Sequence, residues 1–266
     1  MKNLLWVLLF LFAQNIYSKG SSPPPNPLKF EVGTIYGTYS YLPAAPKGYD
    51  WKLWFSDEFN GSSLDMTKWQ HSCKDCVRRL GYWREDGTDV DGKGLLRVKS
   101  FKDGKKMISG AIETVPAIKF KYGFYIAKVK TQNNQGMWSA MWLWPHSATA
   151  KGAVEIDVFE YGFIPFLTQN ALHWYQDGHR QTIRPYPHDM PEEWHTFAVK
   201  YTPDDITFYR DGKEKWKTKS EPTDSPLMIM FSTEIGELAW GRQDLAKFPD
   251  AWYVDWVRFY TITKKK

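Results

Sequence analysis

From Trp51 onward the sequence is a succession of short aromatic and β-branched runs separated by turn residues, and no amphipathic helical period is sustained through it. The runs are Leu53–Phe55, Gly94–Val98, Phe124–Val129, Met137–Trp144, Val154–Phe159, Asn170–Tyr175, Thr196–Tyr201, Ile206–Tyr209, Leu227–Phe231 and Tyr253–Tyr260. Asp91-Gly92, Asp103-Gly104, Asp177-Gly178 and Asp211-Gly212 mark joints between them. Many short strands at this spacing predict an all-β sandwich of antiparallel sheets. The aromatic fraction of 17%, with 14 Trp, agrees, because such rings fit pleated, half-buried surfaces. They also offer flat faces to sugars, although a sandwich core accounts for half or more of them.

Several function classes are disfavoured at once. Basic residues outnumber acidic ones by 35 to 30 but are scattered, apart from the solvated tail Lys264-Lys265-Lys266; nucleic-acid binding would want a basic stripe. Lys2, the apolar stretch Leu4–Ala13 and the small residue closing Ile16-Tyr17-Ser18 read as a signal peptide over residues 1–18. That stretch is too short for a good membrane span, and no lipoprotein Cys follows it. The expected location is therefore secreted or periplasmic. Residues 19–50, with Pro23-Pro24-Pro25 and Pro27, read as a Pro/Gly/Ser-rich arm, leaving residues 51–263 as the functional domain. Cys73 and Cys76 are the only cysteines. A CxxC without a second ligand cluster is not a zinc site, and the surroundings are not those of a thioredoxin-type helix. A local disulfide is the favoured reading in an exported chain, with a free pair as the alternative.

The run Glu155-Ile156-Asp157-Val158-Phe159-Glu160 is the candidate catalytic element. On a strand Glu155 and Asp157 share a face, while Glu160 points away. One extra residue, a β-bulge, would bring Glu160 round to join them. Acids crowded on one sheet face raise one another's pKa, which a structural role rarely requires. Glycoside hydrolysis does require it: one ionised carboxylate and one protonated carboxyl flank the scissile bond, about 5–5.5 Å apart in retaining enzymes. The alternative is an edge strand with a solvated acidic face.

The same run resembles the Glu-x-Asp-x-x-Glu signature of the bulged branch of glycoside hydrolase family 16, and the resemblance extends over nearly the whole chain from Trp54. Trp54–Gly61 looks like the family's opening strand, followed by Leu64-Asp65 and Trp69. Tyr122–Tyr125 and Gly136–Trp142 match the strands before the signature, and Asn170–Trp174 the one after. Glu193–Phe197, Tyr201–Pro203 and Phe208–Gly212 match the next hairpin, and Tyr253–Tyr260 the closing strand. Ser139 and Ile126 depart from it, standing where Pro and Glu are common. The segment Cys73–Gly92, with Arg78, Arg79, Tyr82 and Trp83, matches no substrate-diagnostic loop of the family.

The resemblance implies a β-jelly-roll sandwich whose concave sheet forms an open cleft. It implies Glu155 as nucleophile, Glu160 as general acid/base and Asp157 as their electrostatic helper. Trp138, Trp142 and Trp144 share strand parity and become candidate sugar platforms, although Trp142 and Trp144 also suit a core. His173 and Tyr175 share parity on the next strand and should flank the acids; Phe208 and Trp240 are weaker candidates. No cofactor is required. A structural calcium is known in many family members but stays unassigned: Asp255 is a possible ligand, and no Asp-rich loop accompanies it. The expected activity is endo-hydrolysis of a β-linked polysaccharide by a monomer, first a β-1,3- or mixed β-1,3/1,4-glucan. An endo-β-galactanase is the alternative, in which Arg78, Arg79, Arg180 or Arg184 could read axial hydroxyls or sulfates. A transglycosylase and a non-catalytic glycan-binding protein are the remaining alternatives.

Overall fold

The computed structural model describes residues 41–134, 136–162, 167–175, 178–187, 193–236 and 243–265. The expected signal peptide, most of the arm, Asp177 and Trp240 lie outside them. Among the described residues eighteen strands are formed: β1 (Tyr49–Asp57), β2 (Trp69–His71), β3 (Asp75–Arg78), β4 (Gly81–Arg84), β5 (Thr88–Val90), β6 (Leu96–Asp103), β7 (Lys106–Ser109), β8 (Ala111–Thr114) and β9 (Gly123–Lys130). They continue with β10 (Met137–Pro145), β11 (Val154–Tyr161), β12 (Leu167–Trp174), β13 (Arg180–Pro187), β14 (Trp194–Tyr201), β15 (Asp205–Arg210), β16 (Lys213–Lys219), β17 (Leu227–Ile235) and β18 (Asp250–Lys264). Each of the ten runs read from the sequence lies wholly or largely on a strand.

The strands form two sheets. The larger runs β16-β15-β14-β9-β18-β6-β7-β4-β3, with β1 on β18 and β5 on β6. The smaller runs β13-β12-β11-β10-β17-β8-β2. All pairings between these strands are antiparallel except β4 with β7. The turn signals act as expected. Asp211 and Gly212 both take positive φ, 50° and 72°, between the paired residues Arg210 and Lys213, the geometry of a two-residue hairpin of the favoured hand. Gly104 (φ 55°) is the first residue of the Gly104-Lys105 turn between the paired residues Asp103 and Lys106.

Between the sheets lies one aromatic core. Phe159 of β11 stacks on Phe197 of β14 at 4.5 Å and meets Trp252 of β18 edge-on at 5.6 Å. Two indole N–H groups buried in this core are satisfied: Trp252 donates to Thr233 Oγ1 at 2.8 Å and Trp69 to Asp57 Oδ2 at 2.8 Å. A smaller cluster of Phe124, Ile126, Ala198 and Tyr260 sits on the other face of the larger sheet, covered in part by Tyr41, Leu42 and Trp51. Trp51 also donates its indole N–H to the Pro43 carbonyl at 2.8 Å. Cys73 and Cys76 are disulfide-bonded at the start of β3.

Phe208 corrects a sequence expectation. It is fully buried in the main core and stacked on Trp216 at 4.8 Å. Its place in the larger sheet, facing the smaller one, removes it from any sugar-binding surface. Phe208→Ala should therefore cost about 3–5 kcal/mol in urea unfolding, while kcat of the folded protein well below the transition stays within about twofold of wild type.

Candidate active site

The acids lie on β11 because of its irregularity. Glu155 pairs with His173, Asp157 with Ala171 and Glu160 with Gln169 of β12. Three steps along β11 from Asp157 thus cover two steps along β12. The β10 side has the same mismatch: Met141 pairs with Phe159 and Trp142 with Asp157, leaving Val158 as the inserted residue. Asn170 Nδ2 donates to the Val158 carbonyl at 2.5 Å, supplying a partner to a group displaced from the regular ladder. Ile156 and Phe159 face the core, while Glu155, Asp157 and Glu160 come into phase on the opposite face of the smaller sheet.

All three carboxyls are buried, at 8%, 3% and 6% relative exposure, so each protonation state must be held by neighbours. Burial pushes Glu155 up to about 8, reinforced by the adjacent Asp157. Burial pushes Asp157 to about 8. Burial and then Asp157 push Glu160 to about 8. Glu155 accepts a hydrogen bond from the Tyr175 hydroxyl, and Glu160 accepts one from Gln169 Nε2 at 2.8 Å. His173 Nε2 stands 3.3 Å from Asp157 Oδ2, and its Nδ1 stands 2.9 Å from His179 Nε2. The arrangement holds a shared set of protons among three acids, with distinct donors on the two outer ones.

The other expected residues gather on the same face. Trp138, Trp142 and Trp144 pair with Glu234, Met230 and Met228 of β17, one side of β10 throughout. Trp142 and Trp144 meet edge-on at 5.5 Å, and Trp144 meets Tyr175 at 5.7 Å. Trp142 donates to Ser232 Oγ at 3.1 Å. Trp138 is covered on one side by the Arg79 guanidinium, 4.5 Å from the ring centroid. Of the four arginines considered for substrate contact, Arg78 and Arg79 reach this face, both bonded to Glu234. Arg184 and Arg180 instead pair in register with Asn170 and Trp174, on the core-side parity of β12. Arg184 packs over Trp216, and Arg180 lies over Trp174 and bonds Glu221.

Gln169, His179, Glu234 and Glu113 were not singled out from the sequence. Gln169 was accessible by parity with His173. Glu113 is visible only through the transverse row Glu113–Met230–Trp142–Asp157; it is buried, which raises its pKa, and accepts from Gln70 Nε2 at 2.6 Å. Among the described residues Glu155, Asp157 and His173 are the one group with three ligand-type atoms within 4.8 Å of one another. Asp255, the residue offered for calcium, bonds Lys128 Nζ at 2.7 Å; a seated ammonium does not fit a calcium ligand.

A model of the family described as Glycosyl hydrolases family 16 matches residues 82–258, with the bulged acid strand inside the match. The chain belongs to glycosyl hydrolase family 16. Its sequence is 25% identical to glucan endo-1,3-beta-glucosidase A1 of Niallia circulans over 82% of this chain and 39% of that protein. It is 24% identical to keratan-sulfate endo-1,4-beta-galactosidase of Sphingobacterium multivorum over 98% of this chain and 68% of that one. A solved family 16 structure, a non-specific endo-beta-1,3(4)-glucanase, superimposes with a TM-score of 0.71 at 25% identity, covering 82% of this chain and 93% of that chain. The sandwich is thus the jelly roll of this family.

Two predictions follow from the site's electrostatics. Tyr175→Phe removes a hydrogen bond that favours ionised Glu155, so Glu155 moves further up. The acid limb of the kcat/KM profile should shift to higher pH by about one unit, and an unmoved limb would show that Tyr175 does not hold this carboxylate. Separately, the three acids have folded-state values above their unfolded ones. Between the ordinary carboxylate range and about 8 the folded chain binds more protons, so stability falls as pH rises through that window. Melting temperatures from about pH 5 to about pH 9 should decline, and Asp157→Asn should flatten the decline.

Proposed function

We propose that the chain is an endo-acting retaining glycoside hydrolase in which Glu155 is the nucleophile, Glu160 the general acid/base and Asp157 the group that keeps them apart in protonation. The observation that carries this reading is the bulge at Val158, which brings Glu160 into phase with Glu155 on one buried face. In the first step a Glu155 carboxylate oxygen attacks the anomeric carbon. The bond to the leaving sugar oxygen breaks as Glu160 delivers its proton there. In the second step Glu160 takes a proton from water, whose oxygen attacks the anomeric carbon and releases Glu155 as carboxylate. Burial suits the acid, keeping Glu160 protonated at neutral pH; it opposes ionisation of Glu155, which the Tyr175 hydroxyl favours. Asp157, against His173, can hand a proton or a hydrogen bond to either neighbour.

The substrate is a β-linked polysaccharide. A β-1,3- or mixed-linkage glucan fits the likeness to the Niallia circulans glucosidase, whose name is endo-1,3-beta. The tryptophan row supplies platforms for such a chain. A galactan is the second reading, favoured by the likeness to the keratan-sulfate galactosidase and by the arginine pair beside Trp138. A polymer substrate also agrees with the leader expected at residues 1–18, since such polymers lie outside the cytoplasm. No helix among the described residues is long and apolar enough to cross a membrane.

Two measurements test this reading. Glu155→Gln should lower kcat by at least about 10⁴-fold while the variant still binds polymer; a rate near wild type would refute the assignment. Proton NMR of the first products should show the β-anomer, as double displacement demands, and initial release of the α-anomer would exclude a retaining pair. Reducing-end release from laminarin, lichenan and agarose separates the two backbones.

A further inference from the structure

The hairpin within the segment Cys73–Gly92 lies on the same side of the smaller sheet as the acids. Strands β3 and β4 form a tight hairpin with Arg78 opposite Gly81, and Arg79 (φ 52°) and Leu80 as its turn. The hairpin is hydrogen-bonded into the larger sheet through β7. Its tip nevertheless reaches the smaller sheet: Leu80 N–H donates to the Ile235 carbonyl at 3.0 Å, and the Trp83 indole donates to the Thr233 carbonyl at 2.9 Å. This seats both arginines on Glu234, with Arg78 on Oε1 and Arg79 on Oε2. Glu234 pairs with Trp138, two residues along β10 from Ala140, the partner of Glu160.

The chemistry of this cluster is one-sided. Burial would push Glu234 up, but the two guanidiniums outweigh it and hold it below the ordinary range, so it stays ionised. Two cations on one anion leave a net positive charge. Both Glu234 oxygens are occupied, while each guanidinium carries five N–H groups, most of them beyond the one bond to Glu234. Both side chains keep 30% of their surface exposed, enough to meet a ligand. A neutral sugar hydroxyl wants a donor and an acceptor. An array of donors with a net charge, beside an indole platform, matches an acceptor-only anion.

We propose that Arg78 and Arg79, fixed on Glu234 beside Trp138, form a specificity-determining subsite for a negatively charged substituent, an ester sulfate or a carboxylate, on a sugar next to the one at the acids. The proposal rests on the endo-glycanase reading above and refines its galactan branch. The experiment compares wild type, Arg79→Gln and Arg78→Gln on matched polymers: a sulfated galactan before and after chemical desulfation, and a uronate-bearing galactan before and after carboxyl reduction. Wild type should show a KM at least about 10-fold lower on one charged polymer than on its neutral partner. Whichever pair shows it identifies sulfate or carboxylate. That preference should collapse in either variant, with the loss larger in KM than in kcat, and it should weaken as salt is raised. Arg79→Lys, which keeps the charge but not the fork, should retain part of it. Equal KM values for the charged and neutral partners in wild type, or a preference that survives in folded Arg→Gln variants, would overturn the subsite. Retardation of inactive Glu155→Gln by the same polymers in affinity gels reads the subsite without turnover. If wild type released no reducing ends from any of these polymers, the endo-glycanase reading would fall while that binding result still stood or fell on its own.

Discussion

One inserted residue governs the active face. Were Val158 paired regularly instead of bulged, alternation along β11 would place Glu160 among the core side chains, where Phe159 now fills the space between Phe197 and Trp252. The bulge is held from both sides. Phe159 anchors the strand in the core, and the Asn170 amide satisfies the Val158 carbonyl that the irregular ladder displaces. A bulge costs regular pairing, and here the aromatic packing below and the amide beside it offset that cost. The position of the acid/base thus depends on contacts made on the opposite face of the sheet.

The burial that makes the acids expensive to keep in a fold is also what gives them two roles. In water, three carboxyls on one strand would all ionise at neutral pH. Here burial raises all of them, and their neighbours differ: a phenol donates to Glu155 and a carboxamide to Glu160, while the His173 imidazole stands 3.3 Å from Asp157. The same sheet shows the opposite solution two strands away. Glu234 is as buried but stays ionised, because two guanidiniums face it. One face of one sheet therefore carries both protonated and ionised acids at a common pH, set by which side chains the flanking strands supply.

Much of this was legible in the chain itself. Period-two alternation and Asp-Gly turns marked ten strands, and the spacing of Glu155, Asp157 and Glu160 required a bulge if all three were to meet. What escaped has physical reasons. β13 carries Pro185 and Pro187, which argue against a strand in the sheet interior but are tolerated at the edge, where it lies. β16 is Lys-Glu-Lys-Trp-Lys-Thr-Lys, a charge pattern that reads as solvated and in fact protects one edge of the larger sheet. Phe208 was offered to the sugar because its aromatic character says nothing about which sheet it belongs to. Glu234 and Glu113 came to the acid face through pairings between strands far apart in sequence, which no local pattern encodes.

The β3–β4 hairpin differs from an ordinary surface loop in how freely it can be exchanged. It pairs with one sheet and locks onto the other, and a side chain at Gly81 would press within 3.2 Å of Ile235 and 3.0 Å of the Met107 carbonyl. A replacement hairpin carrying different polar groups would have to preserve this seat, or the two sheets would lose a tie at that end. Diversification of what the protein recognises is thereby channelled into side-chain changes at its tip, on a backbone whose length and path are fixed by the sandwich.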